Sequence, residues 1–270
     1  MKISVITATW NSGGTVADTI RSVLEQTYQD VEHVIKDGAS KDNTLQICEA
    51  WRAKYGSDDT QGADTCAPHK TMRIVTGQDR GIYDAMNQGI EAATGDVIGI
   101  LNSDDFYTSA DVLERVASEF EAHPELEAVY GDIHFVKDGN LTKCTRYFSS
   151  RYFRPWMLRF GFMPAHPSFY VRREVYEKYG LYDLGFRTSS DFEMMVRLFT
   201  KCRIRAKYLN MDFVTMRAGG ESTAGLAAKR RVNQDIAASL RKHGVRSCQL
   251  LQSLRYVWRM GEMAYTRLKY

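Results

Sequence analysis

The chain has 270 residues, 44% hydrophobic and 26% charged with a net charge of +3, which is typical of a soluble globular protein with one large domain or one domain and an appendage. No apolar run approaches the roughly 20 residues that a membrane-spanning helix needs, and the N-terminus lacks the apolar core and cleavage site of a signal peptide, so we expect a cytoplasmic protein. Five scattered cysteines without a C-x-x-C pair predict reduced thiols rather than disulfides or a zinc knuckle.

The first hundred residues alternate between strand and helix patterns. Strands are predicted over 3–8, 31–36, 72–76 and 97–101, and helices over 15–26, 44–55 and 82–93. The polar, Gly-rich stretch 56–71 indicates a surface excursion. Because the strand at 97–101 is nearly all apolar, we expect it to be covered on both faces of a parallel sheet, and the alternation predicts βαβ units.

The second half of the chain is less regular. It is predicted to contain helices over 110–123, 175–179 and 192–200, strands over 128–136 and 204–208, and helices from residue 227 onward. The segment 147–170 is rich in aromatic residues and shows no periodicity. The sequence therefore predicts an α/β domain followed by a helical C-terminal extension.

Polar residues follow each of the first four predicted strands. They are Thr7-Ala8-Thr9, Asp37-Gly38, Gln78-Asp79-Arg80 and Asn102-Ser103-Asp104-Asp105. Ligands of open α/β sheets bind at the carboxyl ends of the strands, where these residues are expected to converge. Carboxylates gathered there repel unless a cation offsets them, and a hard divalent cation shared with phosphate oxygens would do so. A turn at Asp37-Gly38 and a helix cap at Asp104-Asp105 remain the structural alternatives.

Two common nucleotide-binding motifs are absent from the sequence. No G-x-x-x-x-G-K-[ST] is found, which argues against a P-loop nucleotidase. No G-x-G-x-x-G follows the first strand, which argues against a dinucleotide site.

Four separated stretches carry a resemblance to a known family. They are "SVITATWNSGGTVADTIRSVLEQTY", "HVIKDGASKDNT", "TGQDRGIYDAMNQGIEAATGDVIGILNSDD" and "RTSSDFEMMVRL". In this order they resemble the inverting family 2 glycosyltransferases of the GT-A fold. The resemblance implies a mixed, mainly parallel sheet flanked by helices over residues 1–217, with a donor half at 1–105 and an acceptor half at 106–217. Residues 218–270 are the loop and basic helical extension.

The same resemblance implies a nucleotide-sugar donor, commonly a UDP-sugar, and a need for Mg²⁺ or Mn²⁺. Thr7, Ala8 and Thr9 would line the nucleoside pocket, Asp37 would bind the base, and Asp79 and Arg80 would lie beside the base and ribose. Asn102-Ser103-Asp104 aligns with the D-x-D motif, with Asn102 in place of the first Asp. Asp104 would then hold the metal, with Asp105 and Ser103 contacting the ligand nearby.

Asp191 in "SSDFE" matches the position of the general base that deprotonates the acceptor hydroxyl. The alternatives are that Asp191 caps the following helix, or that Glu193 is the base. Weaker candidates are Asp84 and Asn87, which share a helical face and could meet the donor sugar, and His166. The Gly-rich loop 216–225 resembles a mobile segment that closes over the donor, from which Arg217 could reach the diphosphate.

The basic tail interleaves aromatic residues with cations, which suits a peripheral position on the inner face of the cytoplasmic membrane and a lipid-linked saccharide acceptor. The alternative is a helix packed on the domain or on a second subunit of a homodimer. No nucleic-acid-binding module is visible. Two other functions are kept open: a sugar-phosphate nucleotidyltransferase, although "TWNSGG" lacks the cations that a triphosphate needs, and a catalytically dead sugar-nucleotide-binding protein.

Overall fold

The computed structural model describes residues 1–55, 70–218 and 225–269. The predicted surface excursion at 56–71 lies almost entirely outside the described residues. So does most of the Gly-rich loop at 216–225. Within the described ranges no helix is both long and apolar enough to cross a membrane.

The described chain forms a nine-stranded mixed sheet. The strands are β1 (Ile3–Thr9), β2 (Val31–Asp37), β3 (Thr71–Thr76), β4 (Val97–Ile100), β5 (Phe106–Tyr107), β6 (Ala128–Val136), β7 (Arg146–Phe148), β8 (Tyr170–Arg172) and β9 (Ala206–Arg217). Their order is β3-β2-β1-β4-β8-β6-β9-β5, with β7 paired to β6. The pairs among β3, β2, β1 and β4 are parallel, and β8 joins β4 and β6 in antiparallel pairs.

Helices cover the sheet and extend beyond it. They are α1 (Val16–Leu24), α2 (Thr44–Tyr55), α3 (Ile82–Ala92), α4 (Val112–Ala122), α5 (Arg173–Tyr179), α6 (Ser190–Val196), α7 (Gly225–Lys242) and α8 (Gln249–Lys269). Two 3₁₀ segments lie in the aromatic stretch, at Pro155–Phe160 and His166–Ser168. This arrangement confirms the predicted α/β class, with a mixed sheet flanked by helices.

Apolar side chains on both faces explain why β4 lies in the middle of the sheet. All four residues of β4 are buried, and the large hydrophobic clusters on the two faces share its alternating side chains. Gly99 is required there because a Cβ atom at this position would lie 2.3 Å from the ring of Tyr170 on β8. The expectation of a strand covered on both faces is met.

The largest difference from the predicted elements is at β9. A strand was expected over 204–208, but β9 runs for twelve residues to Arg217. It pairs in parallel with β6 through two register shifts, at Tyr130/Asp132 and Asp132/Ile133. Its second half also pairs with the two-residue β5. This long-range pairing, which local periodicity cannot report, carries the strand as far as the loop that follows β4.

Candidate active site at the strand ends

The carboxyl ends of β1, β2 and β4 meet at one edge of the sheet. Parallel pairing places Thr9 beside Asp37, and Asp37 beside Thr76 on β3. On the other side of β1, Leu101 donates its backbone N–H to the carbonyl of Ile6 at 2.9 Å as the chain leaves β4. The loops after these strands are therefore neighbours, as expected for parallel strands.

Asp37 is a buried carboxylate held by three donors. Its Oδ1 accepts hydrogen bonds from the hydroxyls of Thr9 at 3.2 Å and Ser40 at 2.5 Å, and its Oδ2 accepts from the backbone N–H of Ser40 at 3.1 Å. These contacts fix the carboxylate in one orientation at the edge. Oδ2, which accepts only one hydrogen bond, keeps a second lone pair for a ligand N–H.

Thr7 and Ala8 precede Thr9, the last residue of β1. The hydroxyl of Thr7 is buried and forms a 2.9 Å hydrogen bond with Nε2 of His33 on β2. Burial lowers the pKa of His33 to about 3, so this imidazole is neutral. Of the three consecutive residues, Thr9 is the one whose hydroxyl reaches the candidate site residue Asp37.

Lys36 joins the loops after β2 and β3. Its buried ammonium donates to the carbonyls of Asp37 at 2.8 Å and Gly77 at 2.6 Å, and lies 3.7 Å from Oδ2 of Asp79. Gly38 leaves room for this arrangement, because a Cβ there would lie 2.5 Å from the same Asp79 oxygen. Sequence reasoning missed Lys36, although a lysine within a predicted strand of a parallel sheet is a signal that it needs partners.

Arg80, Asp84 and Asn87 make contacts within the protein. The exposed guanidinium of Arg80 pairs with Asp84 at 3.3 Å, and hydrogen bonds from Arg80 lower the pKa of that carboxyl. The amide of Asn87 donates to the carbonyl of Tyr182 and accepts from its N–H, each at 2.9 Å. Asn87 therefore holds the Tyr182 backbone, which accounts for its buried position.

The turn after β4 places two adjacent carboxylates at the edge. Asp105 is fully buried, and its Oδ2 accepts a 2.9 Å hydrogen bond from the amide of Asn102. Its Oδ1 is buried with no hydrogen-bond partner in the described residues. Ser103 forms a 2.8 Å hydrogen bond with Ser12, which ties this turn to the loop after β1.

Electrostatics makes this pair of carboxylates costly. Burial raises the pKa of Asp105 well above its ordinary value, and the charge of Asp104 raises it further. Burial also raises the pKa of Asp104. A divalent cation would offset both charges and supply the orphaned Asp105 oxygen with a partner.

No group of three or more His, Cys, Asp and Glu side chains in the described ranges is arranged to hold a metal. Asp104 and Asp105 could therefore contribute only part of a coordination shell. Mg²⁺ commonly binds through one or two carboxylates and takes its remaining ligands from water and substrate phosphates. The two carboxylates and the orphaned oxygen fit such a shared ion.

Arg217, the last residue of β9, contacts the same turn. Its guanidinium donates to the carbonyl of Asp104 at 2.8 Å and to Oδ2 of Asp18 on α1 at 2.5 Å, and stacks on the ring of Phe106 at 5.4 Å. Arg217, at the end of β9, thus holds the backbone of the turn after β4. The suggested contact of Arg217 with a diphosphate stays a prediction.

Asp191 lies in the first turn of α6 and faces α3. Its Oδ1 accepts a hydrogen bond from the hydroxyl of Tyr83 at 2.9 Å and one from the N–H of Phe192 at 2.8 Å. Its Oδ2 accepts no hydrogen bond from the part of the chain that the structure describes. Burial and then the charge of Asp191 raise the pKa of Tyr83 well above its ordinary value, so the phenol remains a donor.

His166 is buried close to this carboxylate. Its Nε2 forms a 2.6 Å hydrogen bond with the hydroxyl of Tyr182. Burial lowers the pKa of His166, and the charge of Asp191 partly opposes that shift. The neutral imidazole of His166 therefore packs against the ring of Tyr182, close to Asp191.

Glu193, the alternative base, is fully buried among cations. Its carboxylate lies 2.6 Å from Nε2 of His243, 3.3 Å from Nζ of Lys242 and 3.4 Å from Nη2 of Arg197. A carboxylate enclosed in this way has no open approach for an acceptor hydroxyl. The structure therefore argues against Glu193 as the base, and the role of Asp191 stays a prediction.

Helix α7 also fixes the segment that leads to Asp191. Oδ2 of Asp235 accepts hydrogen bonds from the N–H of Thr188 at 2.9 Å and from its hydroxyl at 2.6 Å. Sequence reasoning missed this contribution of the C-terminal region, since a contact between residues 188 and 235 leaves no local pattern.

Known proteins are similar to this chain in sequence and in fold. The family model described as "Glycosyl transferase family 2" matches residues 4–180. A PGL/p-HBAD biosynthesis glycosyltransferase of Mycobacterium tuberculosis is 29% identical over 210 residues, which cover 77% of this chain and 73% of that protein. An uncharacterized glycosyltransferase of the same species is 28% identical over 239 residues, covering 85% and 82%.

Two solved structures share the fold. TarS 1–349 of S. aureus in complex with UDP-GlcNAc superposes with a TM-score of 0.63 at 18% identity, over 89% of this chain and 66% of that one. A mannosyltransferase of Pyrobaculum calidifontis in complex with GDP-Man and Mn²⁺ has a TM-score of 0.63 at 18% identity, over 98% and 73%. At these identities the likeness concerns the fold.

Proposed function

The chain belongs to glycosyl transferase family 2, and from that premise we propose that it moves a sugar from a nucleoside diphosphate donor to an acceptor hydroxyl with inversion at the anomeric carbon. The observation that carries the proposal is Oδ1 of Asp105, which is buried beside Asp104 at the same edge as Asp37 and has no hydrogen-bond partner among the described residues. Such an edge attracts a divalent cation, and a nucleoside diphosphate brings the phosphate oxygens that complete its shell.

The donor is proposed to be a UDP-sugar that binds across β1, β2 and β4. A carboxylate with fixed orientation, such as Asp37, suits the imide N–H of uracil. Thr7, Ala8, Thr9, Asp79 and Arg80 are proposed to line the nucleoside end, with Asn102 and Ser103 nearer the ribose and phosphates. The UDP-GlcNAc complex of the structural neighbour TarS supports this choice of nucleotide.

Mg²⁺ or Mn²⁺ is proposed to lie against Asp104, with Asp105 next to it. When bound, the cation neutralises the charge that develops on the departing diphosphate. The residues of this chain prepare that position: Asn102 orients Asp105, and Arg217 holds the backbone of Asp104. A bound Mn²⁺ in the mannosyltransferase neighbour supports the proposal.

Asp191 is proposed to be the general base. Tyr83 fixes Oδ1, which leaves Oδ2 to accept the proton of the acceptor hydroxyl. As the acceptor oxygen forms its bond to the anomeric carbon, the bond between that carbon and the diphosphate breaks on the opposite face of the sugar. One displacement with one base inverts the configuration.

The acceptor is proposed to be a lipid-linked saccharide that is used in surface polysaccharide synthesis, with the enzyme in the cytoplasm at the membrane surface. The mycobacterial relatives are named for PGL/p-HBAD biosynthesis, and that name describes those proteins, not this chain. For this chain the support comes from the exposed apolar residues of α8.

A thermal-shift screen of nucleotide sugars with and without Mn²⁺ tests the donor site. We expect UDP-sugars to raise the Tm in a metal-dependent way, and Asp104→Asn to remove the metal-dependent part. Asp138→Asn is the matched control, because this exposed carboxylate also lies near Arg217 but outside the turn after β4. If no UDP- or GDP-sugar gives a metal-dependent shift, the proposed donor site is wrong.

A further inference from the structure

Two segments that are far apart in sequence are almost free of acidic residues. Residues 139–173 contain seven Lys and Arg and no Asp or Glu, and residues 243–270 contain five Lys and Arg and one acid, Glu262. The whole chain has a net charge of only +3, so these two segments carry a large share of its positive charge.

The fold packs the two segments against each other. Glu262 on α8 pairs with Arg146 on β7 at 2.8 Å, and Thr266 accepts a 3.1 Å hydrogen bond from the N–H of Tyr147. The ring of Trp258 meets that of Phe162 edge-on at 5.9 Å. We call the combined surface of the two segments the basic aromatic face. Because its one acid, Glu262, is paired with Arg146, the remaining charged side chains of this face are all positive.

Helix α8 has the opposite polarity to a helix packed on a soluble domain. The side chains turned towards the protein are polar: Gln252, Arg255 and Thr266 are buried. Large apolar side chains are turned to solvent, beside the exposed Arg259: Leu250 is 77% exposed, Val257 61% and Met260 60%. Helix α8 therefore packs on the domain, one of the two alternatives expected from the sequence, but largely through polar side chains.

The exposed apolar residues of the chain are concentrated on this face. Of the thirteen large hydrophobic side chains that are exposed in the described residues, ten belong to the two segments. They include Tyr152 and Trp156 beside the first 3₁₀ segment, which contacts α8. Exposed apolar patches of this kind mark interaction sites, and aromatic residues among cations suit a lipid interface.

We propose that the basic aromatic face docks this protein on an anionic phospholipid surface, with the apolar stripe of α8 entering the headgroup boundary. Apolar burial and attraction to anionic lipids act together in such binding. A second copy of the chain is the poorer partner, because a two-fold interface would bring this positively charged patch against itself.

A cleft of about 390 Å³ at the start of α8 provides a place for a lipid phosphate. It lies between the first 3₁₀ segment and the turn from α7 to α8, and it is lined by Trp156, Arg159 and Arg246. Guanidinium groups bind phosphate oxygens in pairs of hydrogen bonds. Two arginines beside an exposed tryptophan match a phosphate at the lipid–water boundary.

Docking rests on the proposed function only in its benefit to the enzyme: it would bring the active site to a lipid-linked acceptor. Its test is therefore a binding measurement. The full chain is sedimented with vesicles of phosphatidylcholine alone and of phosphatidylcholine mixed with phosphatidylglycerol. We expect binding to the anionic vesicles that weakens as salt is raised.

Variants then locate the surface. Val257→Asp and Met260→Asp should each weaken binding to anionic vesicles roughly tenfold or more, since each removes an apolar side chain and adds a repelled charge. Leu184→Asp is the matched control, because Leu184 is also exposed but lies outside the face. The Tm shift with UDP-sugar and Mn²⁺ shows that each variant keeps its fold and donor site.

Three results would overturn docking: no binding to anionic vesicles, binding that is unchanged in both α8 variants, or a dimer that Val257→Asp dissociates. The last would assign the face to a second copy. Vesicle binding without any response to nucleotide sugars would instead reject the proposed function and leave docking intact.

Discussion

Among single residues, Asp105 shows how burial and charge act together at the edge of the sheet. The carboxylate receives one hydrogen bond, from Asn102, and its other oxygen has no partner in the described residues. An isolated buried charge is unfavourable, so the folded protein favours the protonated form. Without a cation, this residue weakens the fold at neutral pH.

This cost predicts a pH dependence of stability. Because the pKa of Asp105 is raised above the ordinary 3.8, the folded protein binds more protons than the unfolded chain between the two values, and the free energy of unfolding falls as pH rises through that window. In EDTA, Asp105→Asn should flatten this fall and raise the free energy of unfolding at neutral pH by on the order of 1 kcal/mol. Urea titrations at several pH values measure both effects.

Asp138→Asn serves as the control for this measurement, since that side chain is exposed and its charge is already solvated. Adding Mn²⁺ and UDP should reverse the order of wild type and Asp105→Asn, because the cation binds the charged form. A variant that is less stable than wild type at neutral pH without metal contradicts the interpretation.

Tyr83 is a positioning residue for the proposed base. Tyr83→Phe removes the hydrogen bond to Asp191, which for a charged acceptor is worth roughly 1.5–3 kcal/mol, and should lower kcat about tenfold or more with little change in the donor KM. Release of UDP from the donor gives both constants. Tyr208→Phe removes an equivalent 2.9 Å hydrogen bond to Asp132 and should leave kcat near the wild-type value. Equal effects of the two substitutions would mean that Tyr83 acts only on the fold.

At the scale of elements, α6 carries two carboxylates with different environments. Asp191 faces α3 with one oxygen open, whereas Glu193 is enclosed by Arg197, Lys242 and His243. Their separation by two residues places them on different sides of the helix. The sequence named both as candidates, and only the position of α7 distinguishes them.

Stability measurements separate these two roles. Glu193→Ala should lower the free energy of unfolding by about 3 kcal/mol, because it leaves Arg197, Lys242 and the buried His243 without their carboxylate partner. Asp191→Ala should cost under about 1 kcal/mol, since the hydroxyl of Tyr83 can still donate to the carbonyl of Thr188, 3.2 Å away. Thermal denaturation checks both. A larger loss from Asp191→Ala than from Glu193→Ala would reverse the assignment.

Strand β9 and helix α8 show which element properties a sequence does and does not reveal. The end of β9 at Arg217 depends on pairing with β6 and β5, which are remote in sequence, so the local pattern predicted a shorter strand. The amphipathic character of α8 was evident, but which side faces the protein was not. Polar partners such as Tyr147 and Asn233 decide it.

For the whole molecule, the sequence predicted the half of the sheet that binds ligands in such folds. β1, β2, β3 and β4 alternate with helices, and their parallel order alone brings Asp37 and the Asn102–Asp105 turn to one edge. The contacts that Lys36, Tyr83 and Asp235 make around the candidate site were not predicted. They join residues that are distant in sequence and come together only in the fold. The division of the chain at residues 105 and 217 stays a prediction, and α7 contacts α6 across the second boundary.

The basic aromatic face is a second surface that the fold assembles from segments distant in sequence. A cleft lined by arginines and an outward apolar stripe lie on one side of the molecule, while the carboxylate edge is formed by the first four strands. Docking through the former would hold the enzyme where a lipid-linked acceptor is presented.

The most direct test of the account is the rate of UDP release by Asp191→Asn, measured with a UDP-sugar donor and a bacterial membrane lipid extract as acceptor. The substitution keeps the size of the side chain and removes the base, so we expect the rate to fall roughly hundredfold or more while the Mn²⁺-dependent Tm shift with donor is retained. Transfer at the wild-type rate by Asp191→Asn would contradict the assignment of Asp191 as the base.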